Sequence, residues 1–131
     1  MKKKIIISCI VLIFLLILIV VLYNYLEYKN NQKLIQNNTR YEEIKNDVNK
    51  EMKRYFSVTR PTCNVEQAVQ KIPDGELIYN GGMDKEKFLD VDGKSYCDTI
   101  TYATCVEKNK WEYKIYIRCK DYTDDEFVDW D

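Results

Sequence analysis

From Ile5 to Leu22 the chain is apolar at every position except Ser8 and Cys9. As a helix rising 1.5 Å per residue, that run spans roughly 27 Å, close to the hydrocarbon thickness of a bilayer. Tyr23, Tyr25 and Leu26 extend it and place aromatic rings where a membrane interface is expected, with Asn24 the one strongly polar interruption. Lys2, Lys3 and Lys4 precede the run. Positive flanks are retained in the cytoplasm, so residues 1–4 are predicted inside, 5–26 across the membrane, and the remainder outside. Two rivals fit less well. A cleaved signal peptide has a shorter apolar core and small residues at its exit, whereas Tyr-Asn-Tyr-Leu-Glu follows here. A lipoprotein box at Ile6-Ile7-Ser8-Cys9 would need its apolar core before the cysteine, and most of this one comes after.

Beyond the membrane the period changes. Leu34, Tyr41, Ile44, Val48, Met52 and Tyr55 fall on one helical face, and neither Pro nor Gly occurs before Pro61. Residues 27–58 are therefore read as an extracellular helix. Its asparagine-rich first part, 27–40, is a solvated stalk, and 41–56 is the half that packs against its own domain. A two-stranded coiled coil is the alternative, but the seam falls short of three heptads. Arg60-Pro61 ends the helix. Asn64 is read as the cap of a short helix reaching Ile72. Pro73-Asp74-Gly75 is read as a turn, Glu76–Tyr79 as a short strand, Gly81-Gly82 as another turn, and Asp84 as the cap of a helical turn through Phe88 and Leu89.

The plainest element is a hairpin over 96–120. Trp111, Tyr113, Ile115, Ile117 and Cys119 alternate with Glu112, Lys114, Tyr116, Arg118 and Lys120, a strand with one apolar and one wet face. A loop of Glu107-Lys108-Asn109 puts Val106 opposite Lys110 and Cys97 opposite Cys119; a loop one residue longer turns Cys97 to the other face. The first register favours a Cys97–Cys119 bond, which leaves Cys63 and Cys105 to each other. Four outer cysteines read as two disulfides of a small secreted domain. Zinc is the rival, and the absence of any closely spaced cysteine pair opposes it. Cys9 reads as a small apolar side chain in the membrane. The outer part is thus a disulfide-linked domain over 59–120 and an acidic tail over 121–131, with six acids, no base, and Phe127, Val128 and Trp130 among them. The tail is read as a solvated terminus; docking on a partner, or adding a last strand, are its alternatives.

Charge and chemistry narrow the function classes. Of 20 basic residues three lie in the amino-terminal triplet, so the outer region is acidic overall, with 17 bases against all 21 acids. Residues 27–60 carry a small positive excess but interleave both signs, which suits a solvated face better than a phosphate-binding stripe, so no nucleic-acid partner is expected. There is no histidine in the 131 residues, which removes the commonest general base and metal ligand. Ser57 and Ser95 lie in no nucleophile elbow. Asp90-Val91-Asp92-Gly93 begins like a calcium loop but lacks the later ligands, so a plain turn is expected. No catalytic residue, metal or cofactor is predicted. Tyr96, Tyr102 and Tyr116 are candidates for an exposed aromatic patch that takes sugars or peptides, with cross-strand packing as the plainer reading.

The order of parts, a short basic start, an apolar helix, its amphipathic extension and a small disulfide-tied antiparallel sheet, resembles type IV pilins and pseudopilins, above all the small pilin-like proteins of Gram-positive bacteria. Val65–Asp92, ahead of the hairpin, is similar to their region between helix and sheet. The resemblance implies a filament subunit or assembly factor. The sequence departs from the pattern where Lys4-Ile5-Ile6-Ile7-Ser8 replaces the prepilin start and no acid precedes Glu27. The expected protein is an α+β single-pass cell-surface protein, non-catalytic and structural or binding in role. Its partners are the lipid bilayer and a protein met through the helix or the acidic tail. A pilin-like subunit and a regulatory ectodomain of a membrane complex are the alternatives.

Overall fold

The computed structural model describes residues 2–65 and 67–128. Its first element is helix α1, Lys2–Thr59. The chain divides after Asn38 into two compact units, so the packed half of α1 belongs with the disulfide-linked domain. In the second unit α1 turns Tyr41, Ile44, Val48, Met52 and Phe56 inward, at steps of three and four residues. Tyr55, expected in that stripe, is half-buried at its border and donates its hydroxyl proton to Glu76 at 2.6 Å. Phe56, one position on, takes the inner place. Leu34 is exposed. The helix ends where Arg60 adopts φ 47°, its N–H bonded to the Phe56 carbonyl, and Pro61 follows.

Three strands follow: β1, Val69–Pro73; β2, Asp98–Glu107; and β3, Lys110–Arg118. They form one antiparallel sheet in the order β1-β2-β3. Between β1 and β2 lie helix α2, Asp74–Tyr79, and a 3-10 turn at Lys85–Phe88, where Asp84 accepts the Glu86 N–H. Two local expectations are corrected. The segment expected as a helix to Ile72 ends in β1, because β2 offers it an edge: Gln67 N–H bonds to Cys105 C=O, Cys105 N–H bonds to Ala68 C=O, and Val69 then pairs with Thr104. Glu76–Tyr79, expected as a strand, is helical within α2. Pro73 supplies the N-cap backbone, Asp74 and Glu76 sit in the first turn where acids suit the helix dipole, and Leu77 is buried by the helical spacing.

The sheet lays its inner face on the α1 stripe. Ile72, Ala103 and Ile117 are buried there, with Trp111, Tyr113 and Ile115 half-buried along the β3 edge. Phe56 meets the rings of Trp111 and Tyr113 edge-on at 5.1 and 5.5 Å. Each fully buried large side chain of this layer contributes roughly 1.5–3 kcal/mol. Thr99 and Thr101 face the same way, 1% exposed, and their hydroxyls have no hydrogen-bond partner among the described residues.

Candidate functional site

The amino-terminal part of α1 is long and apolar enough to cross a membrane. Between Ile5 and Leu22 no large apolar side chain is less than 42% exposed. A soluble helix hides one stripe and wets the other; this one is apolar on every face, which suits a surround of lipid chains. Tyr23, Tyr25 and Tyr28 are exposed where the run gives way to Lys29 and the asparagines. The helix is compatible with a membrane anchor.

The cysteines of the second unit are joined as Cys63–Cys105 and Cys97–Cys119, all four buried. The hairpin explains the second bond. Asp98 opposes Arg118, and Thr99 opposes Ile117, which places Cys97 opposite Cys119 on the inner face. Their Cα atoms are 4.3 Å apart, the spacing of a non-hydrogen-bonded antiparallel pair. The turn differs in detail from the expected loop: Glu107 pairs with Lys110 around Lys108-Asn109, Asn109 takes φ 61°, and Val106 is the extra residue of a register shift. Cys63–Cys105, with Cα atoms 5.5 Å apart, ties the segment after α1 to β2. Asp90 lies against Cys97 and Cys119, a grouping that would suit a metal if the sulfurs were thiolates. They are bonded to each other, and the Asp90 carboxylate accepts the N–H groups of Val91 and Lys120.

The loop at Asp90–Gly93 is a turn built on Asp92. Its carboxylate accepts the Ser95 hydroxyl and the N–H groups of Ser95 and Lys94, which hold its pKa down at about 2. A cleft beside α1 is lined by three acids, Asp47, Glu51 and Asp84, and three bases, Lys50, Arg54 and Lys87, together with Gly81-Gly82. Lys87 meets Asp47 and Arg54 meets Glu51, and with equal numbers of acids and bases the cleft presents no net sign to a ligand.

The aromatic trio is divided. Tyr102 and Tyr116 meet on the outer face of the sheet at 5.7 Å, but Tyr96 stands elsewhere, beside Lys85 and bonded to Glu86. Of the outer pair, Tyr116 is bonded to the carboxyl-terminal segment at Glu126. Described to Val128, this segment is a strap rather than a loose end; Trp130 lies outside the described residues. Tyr122 stacks on Tyr41 of α1 with ring centroids 4.7 Å apart. The Asp124 carboxylate receives Lys45 of α1 at 2.8 Å, the Tyr122 hydroxyl at 2.7 Å and the Ile117 N–H at 2.8 Å. Burial opposes its ionisation, yet these donors outweigh burial and hold its pKa below the usual carboxylate value. Further along, Tyr116 donates to Glu126 and Arg118 covers the Phe127 ring. Those acids push the Tyr116 and Tyr122 phenols up to about 12. The strap thus joins α1 to the edge and outer face of the sheet. Its one signal in the sequence was an aromatic-acid alternation next to Cys119, which reads equally well as solvated.

The chain matches no known family model, no curated protein and no solved structure.

Proposed function

We propose that this chain is a single-pass membrane protein of the cell surface. Residues 5–26 lodge in the bilayer, the lysine triplet stays in the cytoplasm, and the disulfide-linked domain stands outside in a structural or binding role. The observation that carries this reading is the combination of a helix apolar on every face with two buried disulfides downstream of it. Disulfides form and persist in oxidising compartments, and a lipid-spanning helix is the means of keeping the domain there attached. A non-catalytic role is supported by the lack of histidine and by the Lys87–Asp47 and Arg54–Glu51 ion pairs that occupy the cleft. The test is a peptide map without reduction, on cells alkylated before lysis. Linked Cys97–Cys119 and Cys63–Cys105 fragments are expected; four alkylated thiols would contradict the reading.

A second reading, a pilin-like subunit or assembly factor, is favoured by the amphipathic half of α1 lying along an antiparallel sheet. The mass of the mature amino terminus decides it, because pilin processing removes the lysine leader.

A further inference from the structure

β3 is an edge strand whose two halves are finished differently. Cys97 and Cys119 form a non-hydrogen-bonded pair, so in steps of two the N–H and C=O groups of Ile117, Ile115, Tyr113 and Trp111 point away from β2. The strap covers the carboxyl end. Asp124 accepts the Ile117 N–H through its carboxylate and donates its own N–H to the Ile117 carbonyl, while Cys119 N–H bonds to Tyr122 C=O. The outward groups of Trp111, Tyr113 and Ile115 have no such cover among the described residues.

An uncovered edge is a template for another strand, and charges of one sign are a common protection against it. This edge instead reads Lys110-Trp111-Glu112-Tyr113-Lys114-Ile115-Tyr116, which is self-complementary about Tyr113. We propose that β3 pairs antiparallel with β3 of a second copy about a two-fold axis at Tyr113, joining the two sheets into one. The axis is normal to the sheet and reverses the packed half of α1, so under the proposed topology the second copy is one anchored in a facing membrane. Tyr113 exchanges both backbone bonds with its counterpart, and Trp111 does the same with Ile115 of the second copy. Glu112 faces Lys114 of the second copy on the wet side, in a non-hydrogen-bonded pair where side chains lie closest. The two-fold repeats that ion pair. On the inner side the half-buried Trp111 and Ile115 become cross-strand neighbours, which completes their burial. Other centres fit less well: one at Ile115 meets the strap at Ile117, and one at Trp111 runs into the turn at Lys108-Asn109.

The test uses the full chain in detergent micelles, with molar mass followed by light scattering across a concentration series. A concentration-dependent dimer is expected. Glu112→Lys places lysine opposite lysine at both ion-pair positions and should weaken the dimer by about tenfold. The double variant Glu112→Lys/Lys114→Glu should restore it. Both positions are exposed in β3, so the near-ultraviolet circular dichroism should stay that of the wild type. Lys114→Glu alone should behave like Glu112→Lys and serves in its place if that variant misfolds. A monomer at every concentration, a dimer indifferent to either single change, or a double variant that fails to recover would each overturn the proposal.

Discussion

Replacing Thr101 with valine tests how α1 and the sheet meet. Thr101 sits between Ile72 of β1 and Ile115 of β3, 1% exposed, with an unpartnered hydroxyl. Burying such a hydroxyl costs about 1–3 kcal/mol, because its bonds to water are lost without replacement. Valine has nearly the same shape and adds the burial of a methyl-sized group, worth about 0.8 kcal/mol. Taking the lower part of the first range, Thr101→Val should stabilise the domain by about 2 kcal/mol. For a domain of roughly 60–100 residues that is a rise of about 8–15 °C in melting midpoint. The assay is a thermal melt of the full chain in micelles, followed by near-ultraviolet circular dichroism. A urea titration beside it should show a higher midpoint at unchanged slope. Thr101→Ser, which keeps the hydroxyl and loses the methyl, should move the midpoint down by an amount equivalent to about 1 kcal/mol. A valine variant no more stable than the wild type would refute the reasoning. It would mean that the hydroxyl is bonded in solution and that the inner face is not sealed by the α1 stripe.

Three further outcomes follow from named contacts. The pKa of Asp124 is depressed in the folded chain, so its contribution is complete above the unfolded value, near pH 4, and is lost as pH falls through the native one. Asp124→Asn should therefore lower stability at pH 7 and flatten its decline on acidification, read by tyrosine and tryptophan fluorescence in urea at each pH. A Cβ at Gly81 would lie 2.5 Å from the Leu77 carbonyl oxygen, so Gly81→Ala should destabilise by about 2 kcal/mol in the same titration. Removing Cys63–Cys105, which spans 42 residues, should cost about 4 kcal/mol, against about 3 kcal/mol for Cys97–Cys119, which spans 22. Paired Cys→Ala variants and their melting midpoints would give that order.

What could be read from the sequence was what a single element decides for itself. The run from Ile5 to Leu22 is long and uniform enough to need no context. The spacing of Tyr41, Ile44, Val48 and Met52 specifies one face of a helix, and period-two alternation from Trp111 to Cys119 specifies one face of a strand. Hairpin register then follows from which face the cysteines share. Segments of four or five residues were not legible in this way. Val69–Pro73 becomes a strand because the β2 edge is beside it, held near by Cys63–Cys105. Glu76–Tyr79 becomes a helical turn because Pro73 and two acids start one there. The strap was hidden for the same reason: Tyr122 and Asp124 are polar-looking residues whose partners, Tyr41 and Lys45, lie some 80 positions earlier. Tyr55 and Phe56 show the limit of a period of 3.6, which leaves two adjacent residues almost equally placed at the end of a long stripe.

The most direct test of the proposed topology is protease accessibility in intact cells. With epitopes at both ends of the full chain, added protease should remove the carboxyl-terminal epitope while the amino-terminal one remains protected in a membrane pellet that resists alkaline extraction. A carboxyl-terminal epitope untouched until the cells are permeabilised, or a chain released from the membrane by alkali, would contradict the account.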